Sequence, residues 1–324
     1  MEIIDTHCHV YPKLSYLLKE NEILIPGPLI PIIDKIKQLE NTNKFYKKMA
    51  YEALKPLINS MQNLQTKFND DSGKFLTLKD QLFRLGSMTT ILSSTVDDLL
   101  SEMNHNNISK TFLIAHPPLI SNDFVLELSS KNNRFIPIVN IPEKIQSPEK
   151  LLDSYLKRGA VALKIHAAAD GMNPKDSHYH RLLHHANSLG LPVIIHTGAL
   201  KIEPLYKNSD FGHAEYFENW FSTYKKSNFI LAHMNIHFPE VAMNLCSKYK
   251  NVYTDTSWQN EDTILKAINL IGSKKILFGT DWPIMGNNIE LCINRIHSLY
   301  EQKKIKKSDY DHILNKNAKK IFNL

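Results

Sequence analysis

The stretch Leu191-Pro192-Val193-Ile194-Ile195-His196-Thr197-Gly198 decides the reading of the fold. Its apolar run is short, rich in β-branched residues and bounded by Pro and Gly, as befits a strand buried on both faces. The segment before it, 175–190, has a helical pattern that stops at Gly190, a common helix terminator. A histidine closes the run, so a polar side chain stands where a buried strand emerges. The same unit recurs outward from this point. Apolar runs lie at 110–115, 135–141, 161–166, 228–233, 252–256 and 275–280, and a further one at 2–10 brings the count to eight.

Helical segments fill the gaps between these runs. Thr95 can cap a helix whose first turn holds Asp97 and Asp98, where carboxylates suit the helix dipole. Pro148 and Glu149 begin another, which ends at Gly159. Further helices are expected over 213–226, 239–250, 262–271 and 289–304, with Ser308 or Asp309 capping a last one. Eight alternations of strand and helix predict a (β/α)8 barrel in a single domain, 1–324, with an active site at the carboxyl ends of the strands.

Four strand ends carry ionisable groups. Asp5-Thr6-His7-Cys8-His9 opens the chain, His196 and His233 end two later runs, and Asp281 follows the last. Side chains alternate along a strand, so His7 and His9 share a face and Cys8 points away. Two imidazoles, a third from a distant strand and a late carboxylate suit a divalent metal. With 15 histidines in 324 residues any one such signal is weak, and the shared placement at strand ends is what carries weight.

Bulk properties narrow the class. Charged residues at 22% and hydrophobic ones at 43% are ordinary for a globular protein. Three scattered cysteines, Cys8, Cys246 and Cys292, argue against a disulfide framework. Glu2 and Asp5 stand where a signal peptide would need an apolar core, and no uncharged stretch is long enough to span a bilayer. A cytoplasmic protein is expected, with no membrane partner. The net charge of +6 comes from dispersed lysines, so a nucleic-acid partner is not expected. A small-molecule substrate is, and a homodimer is a reasonable assembly.

Residues 12–93 break the alternation. The segment is too long for a plain loop and leaves the end of the first strand, so it is expected to overhang the active site as a lid or cap. The alternative is an oligomerisation arm.

With these residues in view, the chain resembles the amidohydrolase superfamily, in its amidohydrolase-2 branch of metal-dependent barrel enzymes. The resemblance rests on Asp5-Thr6-His7-Cys8-His9, Ala162-Leu163-Lys164-Ile165-His166 and Val193-Ile194-Ile195-His196-Thr197-Gly198. It extends to Leu231-Ala232-His233, Tyr253-Thr254-Asp255-Thr256-Ser257, Leu277-Phe278-Gly279-Thr280-Asp281-Trp282-Pro283 and the closing Asn317-Ala318-Lys319-Lys320-Ile321-Phe322. It implies one divalent metal, zinc or manganese, held by His7, His9, His196 and Asp281. His233 would contact the water or the reacting group, and Asp281 would move its proton. Lys164 and His166 would bind the substrate, Lys164 as an ammonium. The alternative is a carbamylated Lys164 bridging two metals. Asp5 is expected to support the ligands from behind, as is Asp255. Trp258 would line the mouth, and Arg84 in the insertion would anchor a carboxylate. His116, before Pro117-Pro118, would line the pocket. Many relatives have a Gly soon after the His of the sixth strand, where this chain has Met234-Asn235. Hydrolysis of a lactone, amide or ester of a small anionic substrate is the leading expectation. The alternatives are a non-oxidative decarboxylase of an aromatic or unsaturated acid and a catalytically silent binding barrel.

Overall fold

The computed structural model describes residues 2–12, 94–142, 144–199, 207–284 and 289–324. The expected insertion lies outside them beyond residue 12, and Arg84 with it. Among the described residues the strands are β1 (Ile3–Cys8), β2 (Ile108–Ile114), β3 (Phe135–Asn140), β4 (Ala162–Ile165), β5 (Val193–His196), β6 (Phe229–Ala232), β7 (Val252–Asp255) and β8 (Ile276–Leu277). All pair in parallel and in sequence order. Backbone hydrogen bonds join the two ends of the sheet: Thr6 to Phe278 at 2.8 Å, Asp281 to His7 at 2.7 Å and His9 to Trp282 at 2.6 Å. The result is a (β/α)8 barrel.

The helices are α1 (Val96–His105), α2 (Asn122–Lys131), α3 (Pro148–Lys157), α4 (Ala167–Asp170), α5 (Ser177–Leu189) and α6 (Glu218–Thr223). After them come α7 (Pro239–Lys248), α8 (Glu261–Ile271), α9 (Ile289–Glu301), α10 (Lys307–Asp311) and α11 (Asn317–Phe322). Local chemistry sets their ends. Thr95 and Asp98 form a reciprocal capping box on α1, with the Asp98 carboxylate 2.9 Å from the Thr95 nitrogen. Asp176 caps α5, and Gly190 ends it with φ +64°.

Two local expectations change, and one gap is filled in. The 213–226 segment is not one helix but a 3-10 turn (Ala214–Phe217), preceded by another (Ser209–Gly212) and leading into α6, with Phe217 at the end of the turn and Trp220 and Phe221 on α6 all buried. The helix α2, capped by Ser121, fills a gap where a helix was expected without stated bounds. Neither Ser308 nor Asp309 is the N-cap of α10. Lys306 holds that position, and Asp309 instead accepts its backbone N–H at 3.0 Å.

The lumen has two layers. Its lower part is apolar: Ile4, Phe112, Ile136, Ala162, Ile194, Ile230 and Leu277 form one cluster, closed below by Ile321 and Phe322. Full burial of such a side chain contributes about 1.5–3 kcal/mol. On β4 and β5 the next inward positions up the strand, Lys164 and His196, are polar. Simple alternation from Ile4 would send Thr6 and Cys8 inward, yet Cys8 packs in the outer layer with Ile3. A register irregularity between Asp5 and Cys8 reverses the parity, and His7 and His9 face the lumen.

Candidate metal centre

The upper layer gathers His7, His9, Lys164, His166, His196, His233, Asp255 and Asp281, and every one is at most 6% exposed. Ligand atoms of His7, His233 and Asp281 lie within 4.8 Å of one another. His9 joins them through Asp281, with Nε2 3.2 Å from Oδ1, while His7 Nε2 is 3.5 Å from the same oxygen. His196 stands one ring further out, its Nδ1 3.2 Å from His233 Nε2. His233, expected to contact the water or the reacting group, therefore also stands where a ligand would.

The second nitrogen of each ring shows how the set is oriented. His9 Nδ1 faces the carbonyl of Ile114 at 3.0 Å, and His7 Nδ1 faces the carboxylate of Asp255 at 2.9 Å. Both partners only accept, so both Nδ1 atoms carry a proton. In its neutral form each ring then turns an Nε2 lone pair toward an Asp281 oxygen. Lone pairs facing a carboxylate repel unless a cation or an extra proton lies between them. This donor set fits a divalent metal ion, and the carboxylate behind His7 is the usual support for such a ligand.

Carboxylates hold the frame. Asp255 accepts from His7, from the backbone N–H groups of His233 (3.0 Å) and Ser257 (3.1 Å), and from the Ser257 hydroxyl, which also meets His233 Nδ1 at 2.8 Å. Asp5 accepts the N–H of His7 (3.1 Å), the N–H of Thr280 (3.1 Å) and the Thr280 hydroxyl (2.6 Å), tying β1 to the segment after β8. Asp281 takes the Trp258 indole N–H on its other oxygen at 2.5 Å. Gly279 makes this closeness possible: a Cβ there would stand 3.0 Å from that of His7 and 3.2 Å from that of Asp255.

Burial sets the protonation states. It drives His7, His166, His196 and His233 well below the ordinary imidazole range, with neighbouring positive or imidazole groups adding to the effect. It also lowers Lys164 to about 8 and raises Asp5 to about 7 and Asp255 in the same direction. Lys164 Nζ lies 3.5 Å from His7 Nε2. His166 stacks on His196, with ring centroids 3.8 Å apart and 8° between planes.

The turn after β6 carries backbone strain. His233, Met234, Asn235 and Ile236 have φ of 61°, 48°, 60° and 47°, a left-handed run that costs roughly 1–2 kcal/mol for each L-residue. Side chains from elsewhere hold it. The Thr197 hydroxyl accepts the Asn235 N–H at 3.1 Å, and the Gln259 amide donates to the carbonyls of His233 (2.7 Å) and Ile236 (3.1 Å). The turn sets the direction of His233. Sequence reasoning missed Gln259, Thr197 and Ser257. Only the departure Met234-Asn235 hinted at an unusual turn.

Comparison with known proteins bears on the family and the fold. The profile of the amidohydrolase family matches residues 4–324. No curated protein matches the chain. Among solved structures, it is similar to 2,6-dihydroxybenzoate decarboxylase from Rhizobium, at 21% identity and TM-score 0.58 over 72% of this chain and 89% of that one. It is similar to 5-carboxyvanillate decarboxylase from Sphingomonas paucimobilis, at 14% identity and TM-score 0.61 over 100% and 99%. A probable 2-pyrone-4,6-dicarboxylic acid hydrolase from Acinetobacter baumannii matches at 14% identity and TM-score 0.56 over 100% of both chains. At these identities the structures speak for the fold, and the family match goes further. The chain belongs to the amidohydrolase family, whose members are enzymes that include both hydrolases and decarboxylases.

Proposed function

We propose that this protein is a metal-dependent hydrolase that cleaves a lactone, amide or ester in a small anionic substrate. One observation carries the reading: the Nε2 atoms of His7 and His9 converge on Asp281 Oδ1 at 3.5 and 3.2 Å, with Lys164 Nζ 3.5 Å from His7 Nε2 beside them, a donor cluster that a divalent cation would bridge. His7, His9, His196 and Asp281 would hold one divalent ion, zinc or manganese, with His233 close enough to join or replace a ligand. The ion would supply Lewis-acid polarisation and a more acidic water. Asp281 accepts the proton released as water adds to the carbonyl, and returns it to the leaving oxygen or nitrogen. His233, oriented by Ser257, steadies the charge that develops on the carbonyl oxygen. Lys164, as an ammonium, binds an anionic group of the substrate. Trp258 fixes Asp281 and borders the mouth. The three cysteines are free and buried, which fits a reducing compartment such as the cytoplasm. No helix among the described residues is long and apolar enough to cross a membrane.

Decarboxylation is the second reading, supported by the two decarboxylases among the similar structures and by a site with so little exposure. The test begins with bound metal per chain, by elemental mass spectrometry on protein purified without chelator. About one equivalent supports the mononuclear reading. About two would favour a carbamylated Lys164. Protein that neither carries nor takes up a divalent ion would overturn the assignment. A paired screen of lactones, amides and carboxylic acids then separates the reactions, because carbon dioxide release without water uptake identifies a decarboxylase.

A further inference from the structure

In a (β/α)8 barrel the helices run against the strands, so helix carboxyl ends and the loops after them share the end opposite the metal centre. The lysines that are dispersed along the chain collect there. Lys157 is the last residue of α3, Lys225 and Lys226 follow α6, Lys250 follows α7, Lys274 follows α8, and Lys320 lies on α11, which closes the lumen from below. All six are exposed, and none is ion-paired among the described residues. Carboxylates at the same end, Glu2, Glu127 and Asp311, have lysine partners of their own in Lys319, Lys131 and Lys307, while Glu301 remains exposed. The mouth end is the reverse, with Asp97, Asp98, Glu149, Glu261 and Asp262 in the first turns of helices. Charge is therefore split along the barrel axis.

Helix dipoles give one reason for cations at this end, since a lysine suits a helix carboxyl terminus. They give none for the apolar side chains beside them. Leu189 and Leu270, 53% and 61% exposed, are the most exposed large apolar side chains among the described residues. Both stand in the last turn of a helix that ends here, α5 and α8, and Leu324 after α11 is exposed at the same end. A lone exposed leucine needs no explanation, but protruding leucines on the face that carries the unpaired lysines form a pattern. Binding at an anionic bilayer uses both, cations to attract headgroups and apolar area to place beneath them. A single-stranded nucleic acid would favour exposed aromatic rings for base stacking. Tyr216 and Phe238, the exposed aromatics, lie after β5 and β6 at the mouth end, and Tyr300 at the lysine end packs on Tyr310 with ring centroids 4.8 Å apart.

Against the expectation of no membrane partner, we propose that the end of the barrel opposite the metal centre docks on an anionic lipid bilayer, with the lysines at the headgroups and Leu189 and Leu270 entering the interface. The strand ends that carry the metal centre then point away from the lipid. Docking is reversible and mainly electrostatic, because two leucines bury too little area to anchor the chain alone. The assignment stands apart from the metal-centre reading.

The test is co-sedimentation of the full chain with vesicles of phosphatidylcholine, alone or with about 30% phosphatidylglycerol. Partitioning should be about tenfold or more stronger on the anionic vesicles and should fall by a similar factor when salt is raised from about 0.05 to about 0.5 M. Lys225→Glu with Lys226→Glu should weaken it by about tenfold or more, as should the independent pair Lys274→Glu with Lys320→Glu. Leu189→Ser with Leu270→Ser should weaken it by about fivefold or more. Tyr216→Ser with Phe238→Ser, at the mouth end, should leave it unchanged. All these side chains are exposed, and circular dichroism and melting temperature identify any variant that is misfolded. Equal binding to neutral and anionic vesicles, or unchanged binding in both lysine pairs or in the leucine pair, would overturn the proposal. Loss of binding in the mouth pair would overturn it through the orientation. Retention of a single-stranded RNA of about 20 nucleotides without vesicle binding would overturn it in favour of a nucleic-acid surface.

Discussion

The two halves of the barrel lumen are built on the same eight strands and held by opposite means. Below, Ile4, Phe112, Ile138 and Ile194 interlock with Ile321 and Phe322, and each contact lowers the free energy of the fold. Above, the inward positions are imidazoles, carboxylates and one ammonium, all nearly dry. Burying those groups is unfavourable unless each is hydrogen-bonded or neutralised. Asp5 and Asp255 perform that compensation, and the remaining mismatch, lone pairs facing the Asp281 carboxylate, is where a cation fits. The comparison teaches that the lower layer stabilises and the upper layer draws on that stability to keep reactive groups in place.

Substitutions in one layer should leave the other layer's property nearly untouched. Asp281→Asn should lower the turnover number by about 10²–10⁴-fold while far-ultraviolet circular dichroism and melting temperature stay near wild type. Full activity in that variant would break the assignment of the upper layer. Phe112→Ala, in the lower layer, should cost about 3–5 kcal/mol of unfolding free energy in a denaturant titration, with metal content preserved. Gly279→Ala lies at the boundary. The added methyl would press on His7 and Asp255, and we expect about 1–3 kcal/mol of destabilisation together with weaker metal binding. If stability fell and metal affinity did not, the close approach at Gly279 would be purely structural. Asp255→Asn should have the smallest effect, a metal affinity lower by about 10–100-fold in competition with a chromogenic chelator. An unchanged affinity would show that Asp255 orders the strands and not the ligands.

Much of this arrangement was legible in the residues. The eight apolar runs correspond to the eight strands because a strand buried on both faces has to be apolar throughout, whatever its neighbours are. His7, His9, His196, His233 and Asp281 stand out because a polar residue at the end of such a run has no structural reason to be there. Less legible was the facing of β1. Alternation alone sets His7 and His9 on one side, but which side is decided by the irregularity between Asp5 and Cys8, a property of its pairing with β2. The left-handed turn at 233–236 was equally hidden, since no local preference of Met234 or Ile236 favours it. It exists because Thr197 and Gln259, distant in sequence, capture its backbone groups.

The sequence by itself determined the barrel, the end of it that carries the chemistry and the residue types available there. Hydrophobic periodicity and side-chain class are local properties that survive in any context. Only the tertiary structure decided what each imidazole offers. A ring presents a lone pair or a proton according to the partner on its other nitrogen. Those partners, Ile114 for His9, Asp255 for His7 and Ala169 for His166, are set by chain packing and by the turn after β4.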